Sequence, residues 1–522
     1  MDLSERLKKV SADTWLRVLV GVCIVGALLL FSDYGITWDE TVEHFKRHKG
    51  PRTFAFWFGG FSPDNAPFDT GHNPFTFFLY YTVHHGLEAL GMAPAIHESY
   101  HLLTALIAII GVVFTYRVAR RLLPDRWALA AVVLLVLSPR FFGHSFANFK
   151  DIPFAVAWLA CLDTLLTAAQ TPSNKRMLQH GVALGVLLTV RIGGLMFVPI
   201  SVLGIAWGAR AAQEPMWRER VLRFAAAGAL ALAIHYLSYP YLLLHPIDGL
   251  WELLTTQGQF SWQGDTLTAG AAIASSAVPM WYAPLWLSIT LPEVVLLGLG
   301  SGCVFALLER RAPAPAMGLV IVAALFPLAY VVVTRAPIYD GPRHLLFVFP
   351  TFTILAVCGL YAWRDRVGSR LLVPAVVAFA MGLGAIQIAQ LHPYQTTYFN
   401  RLVGGLSGAE HSYTLDYWAS TSKASAAWLT ENKGETGRLC VTAELSQSWE
   451  LYLPRWTVED TGSLKACPSW SKYAYAFARN RWLDEAADYA LKHPSLWRPV
   501  HHIERQGARL GTVFKNQQPS SR

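Results

Sequence analysis

The chain has 522 residues, of which 53% are A, V, I, L, M, F, W, Y or C and only 15% are charged. Soluble proteins carry about 25% charged residues, and a soluble chain this apolar could not cover its own surface. The net charge of +8 is not a nucleic-acid footprint, because Lys and Arg lie in short loops between apolar runs and form no long basic stripe.

The chain opens with Arg6, Lys8 and Lys9, followed by an apolar run from Val18 to Phe31. No small-x-small cleavage pattern follows, so the run reads as an uncleaved signal-anchor. Apolar runs of about 18–25 residues, long enough to cross a bilayer as helices, then recur along the chain. They predict eleven spans near 15–31, 100–117, 127–142, 151–169, 178–190, 193–209, 221–243, 284–308, 314–334, 344–363 and 371–391. Residues 74–91 are apolar but short, and His84, His85 and Glu88 interrupt them. They read as a helix lying on the membrane surface. The 19 Trp and 20 Tyr fit an interfacial aromatic belt. No internal repeat is visible.

Positive charge orients the spans. With eleven spans and a cytoplasmic N-terminus, every cytoplasmic gap is basic. These gaps carry Arg117, Arg120, Arg121 and Arg126; Lys175 and Arg176; Arg210, Arg218, Arg220 and Arg223; Arg310 and Arg311; and Arg364, Arg366 and Arg370. The outer segments are then 32–99, 143–150, 191–192, 244–283, 335–343 and 392–522. Two of these are long loops rich in Trp, Phe and Tyr, which argues for a function rather than disorder. The chain therefore divides into a transmembrane part, 1–391, whose outer loop 32–99 carries surface helices, and a small α/β domain, 392–522. In that domain, helices are expected at 423–431 and 482–493. Strands are expected at 437–443 and 473–478, with a strand pair over 499–515 turning near Gln506-Gly507. Cys23, Cys161, Cys303 and Cys358 fall in spans. Cys440 and Cys467 both lie in the tail, where an oxidising compartment would permit a disulfide; spacing alone does not show contact. There is no CxxC or Cys/His metal spacing.

The residues able to do chemistry gather at the outer ends of the spans. The first outer loop reads Thr37-Trp38-Asp39-Glu40. Thr37 and Glu40 fit a helix capping box, and Asp39 fits a helix N-terminus; functionally, a carboxylate on a half-desolvated rim is a natural general base. Gly71-His72-Asn73-Pro74-Phe75 opens the surface helix, and His72 is either structural or a site residue. Asn148-Phe149-Lys150-Asp151-Ile152-Pro153-Phe154 opens the fourth span, with acid and proline in its first turn. Arg191-Ile192-Gly193-Gly194 puts an arginine between two apolar runs, where it either snorkels or faces a cavity. Arg335 to His344 forms another rim, with Arg335, Arg343 and His344, in which Arg343 has Asp340 as a possible partner. Glu293, in the eighth span, is a functional suspect by depth or the partner of an arginine.

Acids and cations on one membrane face suit transfer from a lipid-linked phosphate. A polyprenyl phosphate is already a good leaving group, so fixed cations for its charge and one carboxylate base suffice, and the transfer passes through an oxocarbenium-like state. The chain resembles the GT-C superfamily of membrane glycosyltransferases, in particular bacterial relatives of the protein O-mannosyltransferases and of the lipid A aminoarabinose transferase (glycosyltransferase family 39-like). Trp38-Asp39-Glu40, His72-Asn73-Pro74-Phe75, Asp151-Ile152-Pro153-Phe154 and Arg191-Ile192-Gly193-Gly194 carry the resemblance, over roughly 15–400. The family often has His-Pro-Pro where this chain has His72-Asn73-Pro74. The tail from Tyr398-Phe399-Asn400 to Asp416-Tyr417-Trp418 is similar to that of uncharacterised bacterial members.

The resemblance implies an inverting hexosyl or pentosyl transferase in the inner membrane, with a cytoplasmic N-terminus and a periplasmic C-terminal domain. It would move sugar from a polyprenyl-phosphate donor to a lipid, glycan or protein acceptor. Asp39 matches the first-loop catalytic acid, with Glu40 beside it, and Asp151 matches the second acid, orienting the acceptor or holding a metal. Lys150, Arg191, Arg335, Arg343, His344 and His72 are the substrate-binding candidates. Some relatives use a divalent cation and others do not, so the metal stays open. Two other classes fit less of the pattern: a secondary transporter, which needs a midplane cavity and commonly shows repeats, and a non-catalytic binder of lipid-linked sugar.

Overall fold

The computed structural model describes residues 11–41, 49–60, 62, 64, 66, 74–92, 94–211, 217–257, 264–310, 313–367, 370–443 and 445–520. Each of the eleven apolar segments is helical, but they are not eleven straight crossings. Seven helices are long and apolar enough to span: Ala12–Leu30, Ile96–Ala119, Asp151–Gln170, Arg218–Ser238, Pro315–Thr334, Arg343–Trp363 (which opens as a 3-10 turn) and Leu372–Leu391.

Two expected spans are broken. Residues 127–142 divide into Asp125–Val136 and Pro139–Ala147, bent by 65°, and residues 284–308 into Tyr282–Thr290 and Glu293–Glu309, bent by 117°. Proline causes both breaks. Ser138 before Pro139 and Leu291 before Pro292 are extended, with ψ of 112° and 143°, as the proline ring requires of the preceding residue. Counting each bent pair as one crossing gives nine among the described residues. The other two expected spans are short. Asn174–Val190 has 17 residues, which at 1.5 Å per residue is roughly 25 Å, short of the roughly 30 Å of a bilayer core. Ile192–Gly208 is likewise in the shorter class, and the break between them falls at the 3-10 turn Ile192–Met196.

Burial separates an inner from an outer ring of helices. Asp151–Gln170 and Arg343–Trp363 are mostly buried inside the protein, whereas Ala12–Leu30 and Leu372–Leu391 bury few of their residues in it. With no water to drive sorting, an apolar side chain is equally at home against protein or lipid, so hydropathy does not distinguish the two rings. Residues 74–91, expected to be helical, form the helix Pro74–Ala89, with Phe77, Tyr80 and His84 buried.

The tail forms a small domain on a five-stranded sheet. Strands β3 (Arg438–Val441), β4 (Thr457–Asp460), β5 (Tyr473–Phe477), β6 (Trp497–Arg505) and β7 (Ala508–Asn516) run in the order β4-β3-β5-β7-β6. β3 is parallel to β4 and β5; β7 is antiparallel to β5 and β6. The β6–β7 turn falls at Gln506-Gly507, both at positive φ, the backbone that a tight hairpin needs. Helices Ser422–Lys433 and Trp482–Lys492 lie where expected; β4 and the helix Ser446–Tyr452 were not expected. Cys440 and Cys467 are joined in a disulfide.

The domain is docked on the bundle. Tyr452 accepts from Ile36 N at 2.6 Å, Trp418 O accepts from Trp38 N at 3.2 Å, and Lys423 donates to Ser32 O. A hairpin of β1 (Asp265–Thr268) and β2 (Ala271–Ala274) from the 244–283 loop joins from another side: Asn480 Oδ1 accepts from Leu267 N, and Arg481 donates to Gly270 O.

Candidate active site

The first carboxylate is fixed by a four-residue helix, Trp38–Thr41. Thr37 and Glu40 close a capping box: Thr37 N donates to Glu40 Oε2 at 2.6 Å and Glu40 N to Thr37 Oγ1 at 3.4 Å. Glu40 is 1% exposed, and its other oxygen meets His101 Nε2 at 2.9 Å. The box turns Glu40 inward and Asp39 the other way. Asp39 Oδ2 accepts from Arg343 at 2.7 Å, and Oδ1 stands 3.9 Å from Lys150 Nζ. Burial pushes the Asp39 carboxyl up, but Lys150 and Arg343 outweigh burial and hold it well below the usual carboxylate range.

The second carboxylate begins the helix Asp151–Gln170. Asn148 Oδ1 accepts from Asp151 N at 2.8 Å, and Asn148 Nδ2 donates to Asp151 Oδ2 at 2.9 Å. This bracket also presents Lys150, whose backbone N–H reaches Asn148 Oδ1. Asp151 Oδ1 meets Arg191 at 3.0 Å. Arg191 ends Asn174–Val190 in an extended conformation just before the Gly193-Gly194 turn, so it faces the site rather than snorkelling away.

A third segment supplies Arg343. Asp340 and Gly341 both have positive φ, and a Cβ on Gly341 would press on the Trp286 ring at 3.0 Å. The resulting turn sets Asp340 Oδ2 3.3 Å from Arg343. Burial pushes the Asp340 carboxyl up against the pull of Arg479 and Arg343. His344 packs edge-on to Tyr339 at 4.7 Å, within the field of Arg343, Arg191, Asp39 and Lys150.

The structure thus gathers Asp39, Lys150, Asp151, Arg191, Arg343 and His344 from four separate segments. Arg335 is not among them: it is exposed, in a left-handed helix C-cap. Glu40 is adjacent in sequence but faces away, and Glu293 accepts from Arg401 N at 2.8 Å, outside the cluster. His72 lies outside the described residues.

Four buried side chains that were not expected as site residues lie around the cluster. Arg140, fully buried, donates to Tyr398 O at 3.1 and 2.8 Å. Tyr417 reaches His144 at 3.1 Å, and its ring and that of Trp418 flank Arg343 at 5.9 and 5.8 Å. Arg479, from the C-terminal domain, meets Asp340 at 3.0 Å. A cation placed directly after a strand as apolar as Tyr473–Phe477 was the available signal, since charged residues are rarely buried unless paired. Asp416 accepts from Trp418, Ser420 and Thr421 N–H groups and so shapes the turn presenting Tyr417 and Trp418.

No group of three or more His, Cys, Asp and Glu side chains able to hold a metal occurs among the described residues. At Asp39, already faced by Lys150 and Arg343, the described residues offer no second acid that would hold a divalent cation.

Two structures of ArnT from Cupriavidus metallidurans share this architecture. The chain is 14% identical to the form bound to undecaprenyl phosphate and 15% identical to the apo form; for both, the TM-score is 0.52 over 96% of this chain and 98% of ArnT. The fold is GT-C. Within this GT-C fold, residues 95–239 match the model of the dolichyl-phosphate-mannose-protein mannosyltransferase family, a stretch that includes Lys150, Asp151 and Arg191 but not Asp39 or Arg343. No curated protein matches the chain in sequence.

Proposed function

We propose that this protein is an inverting glycosyltransferase whose donor is a sugar on a polyprenyl phosphate. One observation carries the reading: at the end of a membrane bundle, Asp39 stands between Lys150 at 3.9 Å and Arg343 at 2.7 Å. ArnT, of the same fold, is known with undecaprenyl phosphate bound, which supports the lipid carrier. The family match over 95–239 supports transfer of a sugar.

In this reaction the acceptor hydroxyl attacks the anomeric carbon. The new C–O bond forms as the bond from that carbon to the phosphate oxygen breaks, and the electron pair leaves with the polyprenyl phosphate. Asp39 takes the acceptor's proton. A carboxylate held so far below its usual range is a weak base. Donor binding corrects this, because an incoming phosphate competes for Lys150 and Arg343; as they turn to it, the Asp39 carboxyl rises toward a useful basicity. Arg343 offers a planar fork to phosphate oxygens and Lys150 a point charge. Asp151 orients the acceptor and Arg191 holds Asp151 in place, with His344 beside them. The acceptor is a lipid, glycan or protein.

We place the site on the outer face of the inner membrane, with the N-terminus cytoplasmic. The basic loops at 117–126, 175–176, 218–223 and 364–370 support this. So does the Cys440–Cys467 disulfide, a bond that persists in oxidising compartments.

Transfer from a panel of synthetic polyprenyl-phosphate sugars, with wild type and Asp39→Asn side by side, tests the reading. Wild-type turnover that collapses in the variant while donor binding survives is the expected result. Equal turnover in both would remove Asp39 as base. Donor binding without turnover across the panel would leave a binding protein.

A further inference from the structure

The site described so far belongs to the membrane bundle, yet one of its buried charges comes from the C-terminal domain. Arg479 follows β5 and is 4% exposed. It is fixed on several sides: its guanidinium stacks over Trp38 at 4.9 Å and Trp482 at 5.7 Å, and Nη1 donates to Tyr417 O. Nη2 meets Asp340 Oδ1 at 3.0 Å.

Asp340 therefore divides its two oxygens between two arginines, Oδ1 to Arg479 and Oδ2 to Arg343 at 3.3 Å. Arg343 in turn divides its fork, with the closer contact going to Asp39 at 2.7 Å. The result is a line of alternating charge, buried except at the half-buried Asp39: Arg479, Asp340, Arg343, Asp39, Lys150. In such a line each ion's geometry depends on the next, because an unpaired buried carboxylate is strongly destabilising and draws the nearest cation. Take Arg479 away, and Asp340 has Arg343 as its remaining arginine. The fork of Arg343 then turns to embrace Asp340 with both arms, the favoured carboxylate geometry, and its contact with Asp39 weakens.

We propose that Arg479 is a positioning residue for sugar transfer, engaging Asp340 so that Arg343 is not drawn away from Asp39 and stays available there to the incoming donor phosphate, and that the C-terminal domain thereby completes the active site. The inference deepens the transferase reading and rests on it for its kinetic consequence; the geometric coupling does not depend on turnover.

The test uses the full chain in lipid nanodiscs, with Arg479→Gln, Asp340→Asn and the double variant. Two readouts are taken. The first is transfer kinetics. Arg479→Gln is expected to lower kcat by about tenfold or more, as small misplacements of a catalytic group do, with a much smaller change in KM for the donor. The double variant is expected to recover to the level of Asp340→Asn, because removing the acid's charge releases Arg343 again. A residue that merely docks the domain gives no such rescue.

The second readout is the Asp39 carboxyl band in infrared pH titration, assigned by difference from Asp39→Asn. The groups facing Asp39 are Lys150, Arg343 and His344, with Tyr339 and Asp340 behind them. Of these, Arg479→Gln disturbs Arg343 through Asp340. The band is expected to titrate about one pH unit higher in Arg479→Gln and to return in the double variant. A wild type that transfers nothing, with this shift present, would sink the transferase reading and leave the coupling standing. An unshifted band, or a kcat loss that the double variant fails to restore, would overturn the positioning role.

Discussion

At the first outer loop, one carboxylate meets two cations from remote parts of the chain: Lys150 at 3.9 Å and Arg343, 304 residues away, at 2.7 Å. At the start of Asp151–Gln170, one carboxylate meets Arg191 at 3.0 Å, and its other oxygen is held by Asn148, three residues back. The first arrangement depends on tertiary structure for every contact, and an incoming anion can compete for both of its cations. The second is braced by its own helix start. We read the difference as a division of labour: Asp39 sits in a charge network that responds to the donor, and Asp151 is a fixed point beside it.

Removing the responsive carboxylate breaks this comparison most severely. Asp39→Asn keeps the shape of the side chain and removes its basicity, so transfer is expected to fall by about 10²–10⁴, the range for a lost general base. Initial rates at saturating donor check this. A comparable loss in Asp151→Asn, with Asp39→Asn mild, would reverse the two roles.

Next in size are the cations. Arg343→Ala is expected to cost about 10²–10³ in kcat/KM, and Arg343→Lys to recover little, since one ammonium cannot serve Asp39 and Asp340 in place of the planar fork. The pH dependence sharpens the point. In the free protein the Asp39 carboxyl lies well below its usual range because Lys150 and Arg343 overcome its burial, so its acid limb in kcat/KM falls below the ordinary aspartate value of about 3.9. Without Arg343 the group loses an attractive cation while staying partly buried, and the limb moves to higher pH. A limb that stays in place in Arg343→Ala would show that Arg343 does not act on Asp39.

The fixed pair gives a smaller effect with a distinct signature. Asp151→Asn and Arg191→Ala are each expected to lower transfer by about tenfold, and the double variant to be no worse than the poorer single, because both singles break the same contact. Additive losses would mean that Arg191 acts on the donor independently of Asp151.

Much of this was legible beforehand, for identifiable reasons. Asp39 and Asp151 stand out because they punctuate apolar runs, and hydropathy finds helices reliably when the solvent is lipid. Arg191 and Arg343 stand out because a cation at a span's end needs a partner. Which acid partners which cation was not legible. Asp340 was the natural partner of Arg343 by proximity in sequence, and it is one, yet the closer contact is to Asp39. Arg479 carried only the signal of a cation just past an apolar strand, and its role in the site was not legible because it comes from a domain docking across more than a hundred residues. The bends at Pro139 and Pro292 were present in the sequence, but a hydropathy window averages straight through them.

Glu40 offers the finest test, because it adjoins Asp39 and shares its chemistry. Its carboxylate accepts from Thr37 N at 2.6 Å and meets His101 at 2.9 Å, both in the interior. Glu40→Gln retains an acceptor for the cap and removes the carboxylate's charge from beside His101. Thermal stability in detergent is expected to fall by about 1–3 kcal/mol, the cost of leaving a buried polar group less well satisfied. Transfer at a temperature where the variant is folded is expected to stay within about threefold of wild type, since surrounding structure rather than the reacting atoms absorbs the change. If instead Glu40→Gln is stable and inactive, the capping box does not divide the two acids, and Glu40 must turn out of it to reach the substrate.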